Sequence, residues 1–258
     1  MAFDRAEVKF ILDDKGKPVD VYFKVAKDSN QLVEEFMLLA NRTVAETIGT
    51  ALNKTSKKPK TFVYRVHDQP SSEKLMNLAG MASRFGHKIP AVGNNKTITQ
   101  GINKLMKDIH DKPEENLLST LAIRSMAKAI YTTENIGHYG LAFDYYTHFT
   151  SPIRRYPDTM VHRLLDRYLN QGGRSVMKVQ YEEFCKHCSD MEQTAAQAER
   201  ASIKYKQAEY LKDRLGEVFM GTVSGVSEWG FYVELDDNMC EGLVPARHLK
   251  DDHYVYDE

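Results

Sequence analysis

The chain has 258 residues, 42% hydrophobic and 28% charged, a balance that supports one large domain, or one plus part of a second, and excludes a mostly disordered polypeptide. Apolar runs such as Phe36–Ala40 fall far below the roughly 20 residues of a bilayer crossing, the charged N-terminus has no apolar signal region, and three cysteines make no disulfide framework. A cytoplasmic location is therefore expected. The net charge of −1 argues against a nucleic-acid partner when taken alone, yet residues 233–258 sum to −6 and residues 1–232 to +5.

In chain order, Glu7–Leu12 and Val19–Val25 read as strands joined by the turn Asp13-Asp14-Lys15-Gly16-Lys17-Pro18. Asp28 or Ser29 then opens a helix through Leu32, Val33, Phe36, Met37, Leu39, Ala40 and Val44, with Glu34 and Glu35 in its early turns. Thr61–Val66 is a short apolar strand, and Ser71 or Ser72 caps a helix over 73–85. Residues 86–101 read as a connector, followed by a helix near 103–109. Asp111-Lys112-Pro113 starts another, with Leu117, Leu118, Leu121, Met126 and Ile130 at helical spacing and an end near Thr132. From Ile136 to Asp158 the chain is aromatic-rich and aperiodic, then helical from Asp158 to Tyr168. Tyr181–Leu215, free of Gly and Pro, predicts one long helix closed by Gly216. Beyond it, 221–226, 230–235 and 241–245 have the period of short strands.

The chemistry concentrates in the aperiodic segment. His138-Tyr139-Gly140-Leu141 is followed by Tyr146, by His148-Phe149-Thr150-Ser151-Pro152-Ile153-Arg154-Arg155-Tyr156-Pro157-Asp158, and by His162. Two arginines after a Thr-Ser-Pro turn, just before a helix N-terminus, suit phosphate: the guanidinium fork binds it bidentately and stays charged at any working pH. The competing reading is an ion pair with Asp158 on a structural loop. Between Tyr146 and Lys178, six arginines and lysines face only Asp158 and Asp166, a strip that could track a phosphate backbone or form a solvated helix face.

The order of these residues closely resembles the signature of the RNase II / RNase R (RNB) family of 3′-to-5′ exoribonucleases. Leu32 to Asn41 is similar to that family's Glu-Glu helix, Ala198-Glu199-Arg200 sits on a long helix as it does there, and the strands after Gly216 resemble its OB-fold RNA-binding module. The resemblance implies an α+β fold: residues 1–215 as the C-terminal part of an RNB catalytic domain, and 216–258 as the N-terminal part of an incomplete all-β OB-fold. It also implies hydrolysis of single-stranded RNA to nucleoside monophosphates with magnesium, with no DNA preference and no membrane partner. Arg154 resembles the catalytic arginine that holds the scissile phosphate. Arg155 and Tyr156 would be neighbouring contacts, and Glu34 or its neighbour Glu35 would touch the terminal nucleotide. Phe3 stands where a phenylalanine stacks on a base, against the alternative of a plain strand residue. Phe231, with Trp229 and Tyr232, follows a stacking pattern in the β-module, where alternation sends Phe231 and Tyr232 to opposite faces. That module's acidity and its Pro245-Ala246-Arg247-His248 run argue against strong RNA affinity.

One expected motif is missing. Magnesium chemistry on a phosphodiester needs clustered carboxylates, and the family's Asp-rich motif would lie upstream of Met1. The pairs Asp13-Asp14, Glu34-Glu35, Asp236-Asp237 and Asp251-Asp252 lack its spacing, so no metal ligands are assigned, no ion is expected on this chain, and it should be inactive alone. A non-catalytic RNA-binding protein of the same fold is the alternative. Cys185-x-x-Cys188 lies inside a helix and reads as structural rather than as a zinc half-site. His138, His148 and His162 read as RNA contacts or as hydrogen-bonded packing. Glu199 reads as a channel residue or, preferably, as an exposed i,i+4 partner.

Overall fold

The computed structural model describes residues 7–24, 27–52, 60–91, 93, 95–250, 254 and 256. The fold is α+β: β1 (Glu7–Leu12), β2 (Pro18–Lys24), α1 (Asp28–Glu46), β3 (Tyr64–Val66), α2 (Ser72–Arg84), α3 (Asn95–Ile109), α4 (Glu115–Ser125), β4 (Ile130–Thr132), α5 (Tyr156–Leu169), α6 (Lys178–Lys212), β5 (Gly221–Ser227), β6 (Gly230–Leu235) and β7 (Glu241–Pro245). Two compact units divide the chain. One holds α1 to α3, β3, β4, α5 and the first half of α6; the other holds β1, β2, the second half of α6 and β5 to β7.

The first unit is built around a short antiparallel β3–β4 pair, Tyr64 opposite Thr132 and Val66 opposite Ile130. Helix α5 buries Pro157, Met160, Val161, Leu164 and Tyr168, the i, i+3, i+4, i+7 stripe of a helix with one face in the core. Those side chains meet Phe62, Val63, Val66 and Tyr131, together with Ala45 from the end of α1, Ile48 just beyond it and Cys185 from α6. Helix α6 also ties the sheet edge: the Tyr131 amide donates to Ser189 Oγ (2.9 Å), and Glu182 accepts from the Thr132 hydroxyl (2.8 Å) and the Thr133 amide (2.7 Å). Beyond α1 the chain continues as a π-helical turn, Thr47–Leu52. There Gly49 lies so close to Tyr145 that a Cβ would fall 2.3 Å from the ring.

In the second unit, β1 and β2 form the expected hairpin, whose turn is closed by Asp13 Oδ1 accepting from the amides of Lys15 (2.9 Å) and Lys17 (2.8 Å). Phe10 packs on Tyr210 at 6.0 Å between ring centroids, and Lys17 pairs with Asp213. Helix α6 ends at Lys212, short of the expected Leu215, and a turn over residues 213–216 follows, in which Gly216 adopts the left-handed φ of +93° that glycine permits. The remaining strands form an antiparallel sheet in the order β5-β6-β7.

Several expectations change. Helix α1 is N-capped by Lys27, with Asp28 in its first turn, and its entry is closed by the Lys27 amide donating to Asn30 Oδ1 (3.1 Å). Helix α3 begins at Asn95, inside the stretch expected to be a connector. The helix expected to run to Thr132 stops at Ser125, and Ile130–Thr132 is strand β4 instead. The Thr61–Val66 strand is shorter and begins at Tyr64. Phe3 lies outside the described residues. No helix among the described residues is long and apolar enough to cross a membrane.

Candidate nucleic-acid interface

The signature segment is threaded through the first unit by backbone and side-chain bonds that leave its last turn facing outward. Tyr146 and Thr147 are buried, the Arg65 amide donating to the Tyr146 carbonyl (2.9 Å) and the Thr147 hydroxyl to the Val63 carbonyl (2.7 Å). From α1, buried Asn41 reaches both ends of this stretch: its Nδ2 donates to Tyr146 Oη (3.2 Å), and its Oδ1 accepts from the Phe149 amide (2.8 Å). His162 of α5 stacks flat on Phe149, centroids 4.0 Å apart, with Nε2 2.8 Å from the Phe149 carbonyl.

The turn that follows is rigid. The Ser151 amide donates to Asp158 Oδ1 (2.8 Å), the Arg155 amide to the Ser151 carbonyl (3.0 Å), and the Thr159 hydroxyl to the Pro152 carbonyl (3.0 Å). Asp158 is fully buried, and Arg155 Nη2 donates to its Oδ1 at 2.9 Å. The two adjacent arginines therefore differ completely. Arg155 is held inward as the counter-ion of Asp158. Arg154 is exposed on the same turn, and its guanidinium has no hydrogen bond or ion pair among the described residues. Beside it Ile153 is 98% exposed and Tyr156 54% exposed, with Arg163 6.0 Å over the Tyr156 ring. An unpaired guanidinium on a buttressed turn is arranged to meet an anion.

The histidines read differently. His138 and His148 are half-buried, and desolvation together with neighbouring positive groups pushes them down to about 4 and about 3; both are neutral at pH 7. His148 Nδ1 lies 2.7 Å from the Tyr131 hydroxyl, itself pushed up by burial, and the two share a hydrogen bond. His138 Nδ1 accepts from the Leu141 amide (3.2 Å) and His67 Nδ1 from the Gly140 amide (2.8 Å). Arg65 lies 4.5 Å over the Tyr131 ring and bonds Glu192 at 2.6 Å and 3.1 Å. These are hydrogen-bonded packing residues. The sequence reading missed the roles of Asn41, Arg65 and Tyr131; the Asn that directly follows the apolar run Phe36–Ala40 was the available signal for the first.

Glu34 and Glu35 are exposed on the first half of α1. Phe231 is half-buried on β6, opposite Val244, whereas Tyr232 and Trp229 are exposed, the tryptophan at 70%. Cys185 is buried and its thiol pushed up to about 12 by burial, which fits a structural cysteine rather than a thiolate ligand. Around Arg154 the acids do not fit magnesium. One oxygen of Asp158 serves Ser151 and Arg155, the other is enclosed without a partner, and Asp166 accepts from Asn170 and Gln171. One enclosed oxygen beside a guanidinium is not a hard-cation cage.

The first unit carries an exposed arginine turn, and the second a three-stranded antiparallel β-module. A model of the RNB domain matches residues 1–171, and one of the S1 RNA binding domain matches residues 212–258. The chain belongs to the RNB family, and within it is similar to the RNase R branch. It is 40% identical to Ribonuclease R of Aquifex aeolicus over 99% of this chain and 35% of that one, and 34% identical to Ribonuclease R of Escherichia coli over all of this chain and 32% of the other. The chain thus spans about a third of the length of these curated relatives. Among solved structures, Mycoplasma genitalium RNase R in complex with ribose methylated single-stranded RNA superposes with a TM-score of 0.88 at 27% identity, over 99% of this chain and 39% of that one. Yeast Ssd1, a pseudonuclease, superposes with a TM-score of 0.68 at 25% identity, covering 84% of this chain and 26% of the other.

Proposed function

We propose that this chain is the phosphate-binding part of an RNase R-like 3′-to-5′ exoribonuclease, cytoplasmic and acting on single-stranded RNA. The observation that carries the reading is the division of labour between the two arginines: Asp158 takes Arg155, and Arg154 is left free on a rigid exposed turn. Arg154 holds the scissile phosphate and stabilises the charge that builds on it during hydrolysis. Residues 1–215 form the catalytic-domain part and 216–258 the RNA-binding module. Glu34 or Glu35 contacts the terminal nucleotide, Tyr156 supplies a stacking surface in the first unit, and Phe231, with Trp229 and Tyr232, supplies one in the β-module. Contact with the 2′-hydroxyl provides the basis for preferring RNA over DNA.

Magnesium serves the whole protein through carboxylates other than those at the Arg154 turn, so the purified chain is expected to bind a labelled oligoribonucleotide without shortening it when magnesium is added. Fluorescence anisotropy with the wild-type chain and Arg154→Ala tests the binding: at least a tenfold loss supports the reading, and an unchanged affinity overturns it. Shortening of the oligonucleotide by the chain would overturn the assignment of an incomplete catalytic apparatus. The likeness to a pseudonuclease favours one second reading, an RNA clamp of the same fold that does not cut. An Asp-rich carboxylate cluster acting together with this chain supports the exoribonuclease, and its replacement supports the clamp.

A further inference from the structure

Asn41 occupies an unusual place: an uncharged amide in the middle of a helix, 3% exposed, with each end of the amide spent on the signature segment and none on its own helix. Seven residues are about two turns of α-helix, so Asn41 lies on the same stripe as Glu34 and Leu38, one turn before buried Ala45. Glu35 is rotated about 100° away from that stripe. The face of α1 that meets the signature segment at Asn41 thus carries Glu34 toward the helix start and leaves Glu35 to the side.

The bonds Asn41 makes bracket residues 146–149, and the next residues form the Arg154 turn. Phe149 is fixed from the other side by the His162 ring, and Ser151 by Asp158. Among the described residues, Asn41 is the hydrogen-bonding contact that α1 makes in this chain of bonds, and Arg42 adds a contact over the Phe143 ring at 5.1 Å. We propose that Asn41 is a positioning residue: its amide sets the distance and direction between the Glu34 stripe of α1 and the Arg154 phosphate turn, and so selects Glu34 over Glu35 as the acid that shares a nucleotide with Arg154. The proposal rests on the RNA reading above for its second half, but the lock itself exists in the free protein.

Two measurements test it separately. Hydrogen exchange on the free chain reads the lock: Asn41→Ala, which removes the acceptor for Phe149, is expected to raise exchange at least tenfold at the Phe149 amide, and Asn41→Asp, which keeps that acceptor but loses the donor to Tyr146, to raise it less. Protection at the α5 amides stays as in wild type. Unchanged exchange at Phe149, or loss of protection throughout α5, overturns the lock. Anisotropy with a labelled oligoadenylate then reads the coupling in a double-mutant cycle. Asn41→Asp weakens binding about fivefold in the wild-type chain and less than twofold in Arg154→Ala, Tyr146→Phe reproduces the partial loss, and Glu34→Gln, unlike Glu35→Gln, loses its effect when Asn41 is replaced. Equal losses in both arginine backgrounds overturn the positioning role. If Arg154→Ala leaves affinity unchanged while Phe149 exchange rises, the RNA reading and the positioning role fail together and only the structural lock survives.

Discussion

Arg154 and Arg155 are identical in chemistry and adjacent in sequence, and one buried carboxylate separates their fates. Removing Arg155 leaves Asp158 charged in the core without its ion pair, a penalty of about 3 kcal/mol. Removing Arg154 takes away an exposed group with no protein partner and should change stability by less than about 0.5 kcal/mol. Urea denaturation of Arg155→Ala and Arg154→Ala is expected to show this contrast, and equal midpoints for the two would contradict the assignment of Asp158 to Arg155. Gly49 makes a similar argument by volume. A Cβ there would meet the Tyr145 ring at 2.3 Å, and overpacking of this kind costs about 1–3 kcal/mol. Gly49→Ala should therefore lower the thermal midpoint, despite alanine's better helix propensity, and Gly49→Ala combined with Tyr145→Leu should recover part of the loss.

The signature segment as an element is held by neutral histidines, and this sets its response to acid. His138 and His148 titrate near 6.5 when unfolded and are pushed down to about 4 and about 3 in the fold, chiefly by burial. Between these values and 6.5 the unfolded chain binds more protons than the folded one, so stability rises with pH across the window and is level above it. Unfolding free energy should fall as pH drops from 7 to 4.5, by up to about 1.4 kcal/mol per unit for each histidine. His138→Gln and His148→Gln should each flatten that slope, which denaturant titrations at several pH values would reveal. Legibility in the sequence follows the range of the forces involved. The β1–β2 hairpin, α5 and strands β5 to β7 were readable because turn residues and hydrophobic period are local signals. The start of α3 was not, because Asn95, Lys96 and Gly101 look like loop; Gly101 is required by Pro90, whose Cδ would lie 2.3 Å from an added Cβ. Strand β4 was misread because Met126 and Ile130 continue the helical spacing of α4, whereas the pairing that recruits residues 130–132 comes from β3, more than sixty residues away. The arginine turn was legible as a motif; which arginine faces outward was not, since that depends on where the Asp158 carboxylate is buried.

At the scale of the molecule, net charge is the least informative number. The −1 total combines a +5 stretch over residues 1–232 with a −6 stretch over residues 233–258, and RNA responds to local potential within roughly a Debye length of about 8 Å at physiological salt rather than to the sum. Arg154, Arg163, Arg167 and Arg174 are all exposed in the first stretch, although Arg167 spends its Nε on the Arg174 carbonyl (3.0 Å). Binding of a single-stranded oligoribonucleotide should therefore weaken steeply with salt even though the protein is slightly anionic, because each neutralised phosphate releases counterions with a slope of about −0.7 in log K against log salt. Arg154→Ala should make that slope shallower by about one such increment, and Arg155→Ala, if it remains folded, should leave it unchanged because its guanidinium already has an anion. Anisotropy titrations across a salt series would measure both. Salt-independent affinity, or the same slope in wild type and Arg154→Ala, would place the RNA contact away from the signature turn.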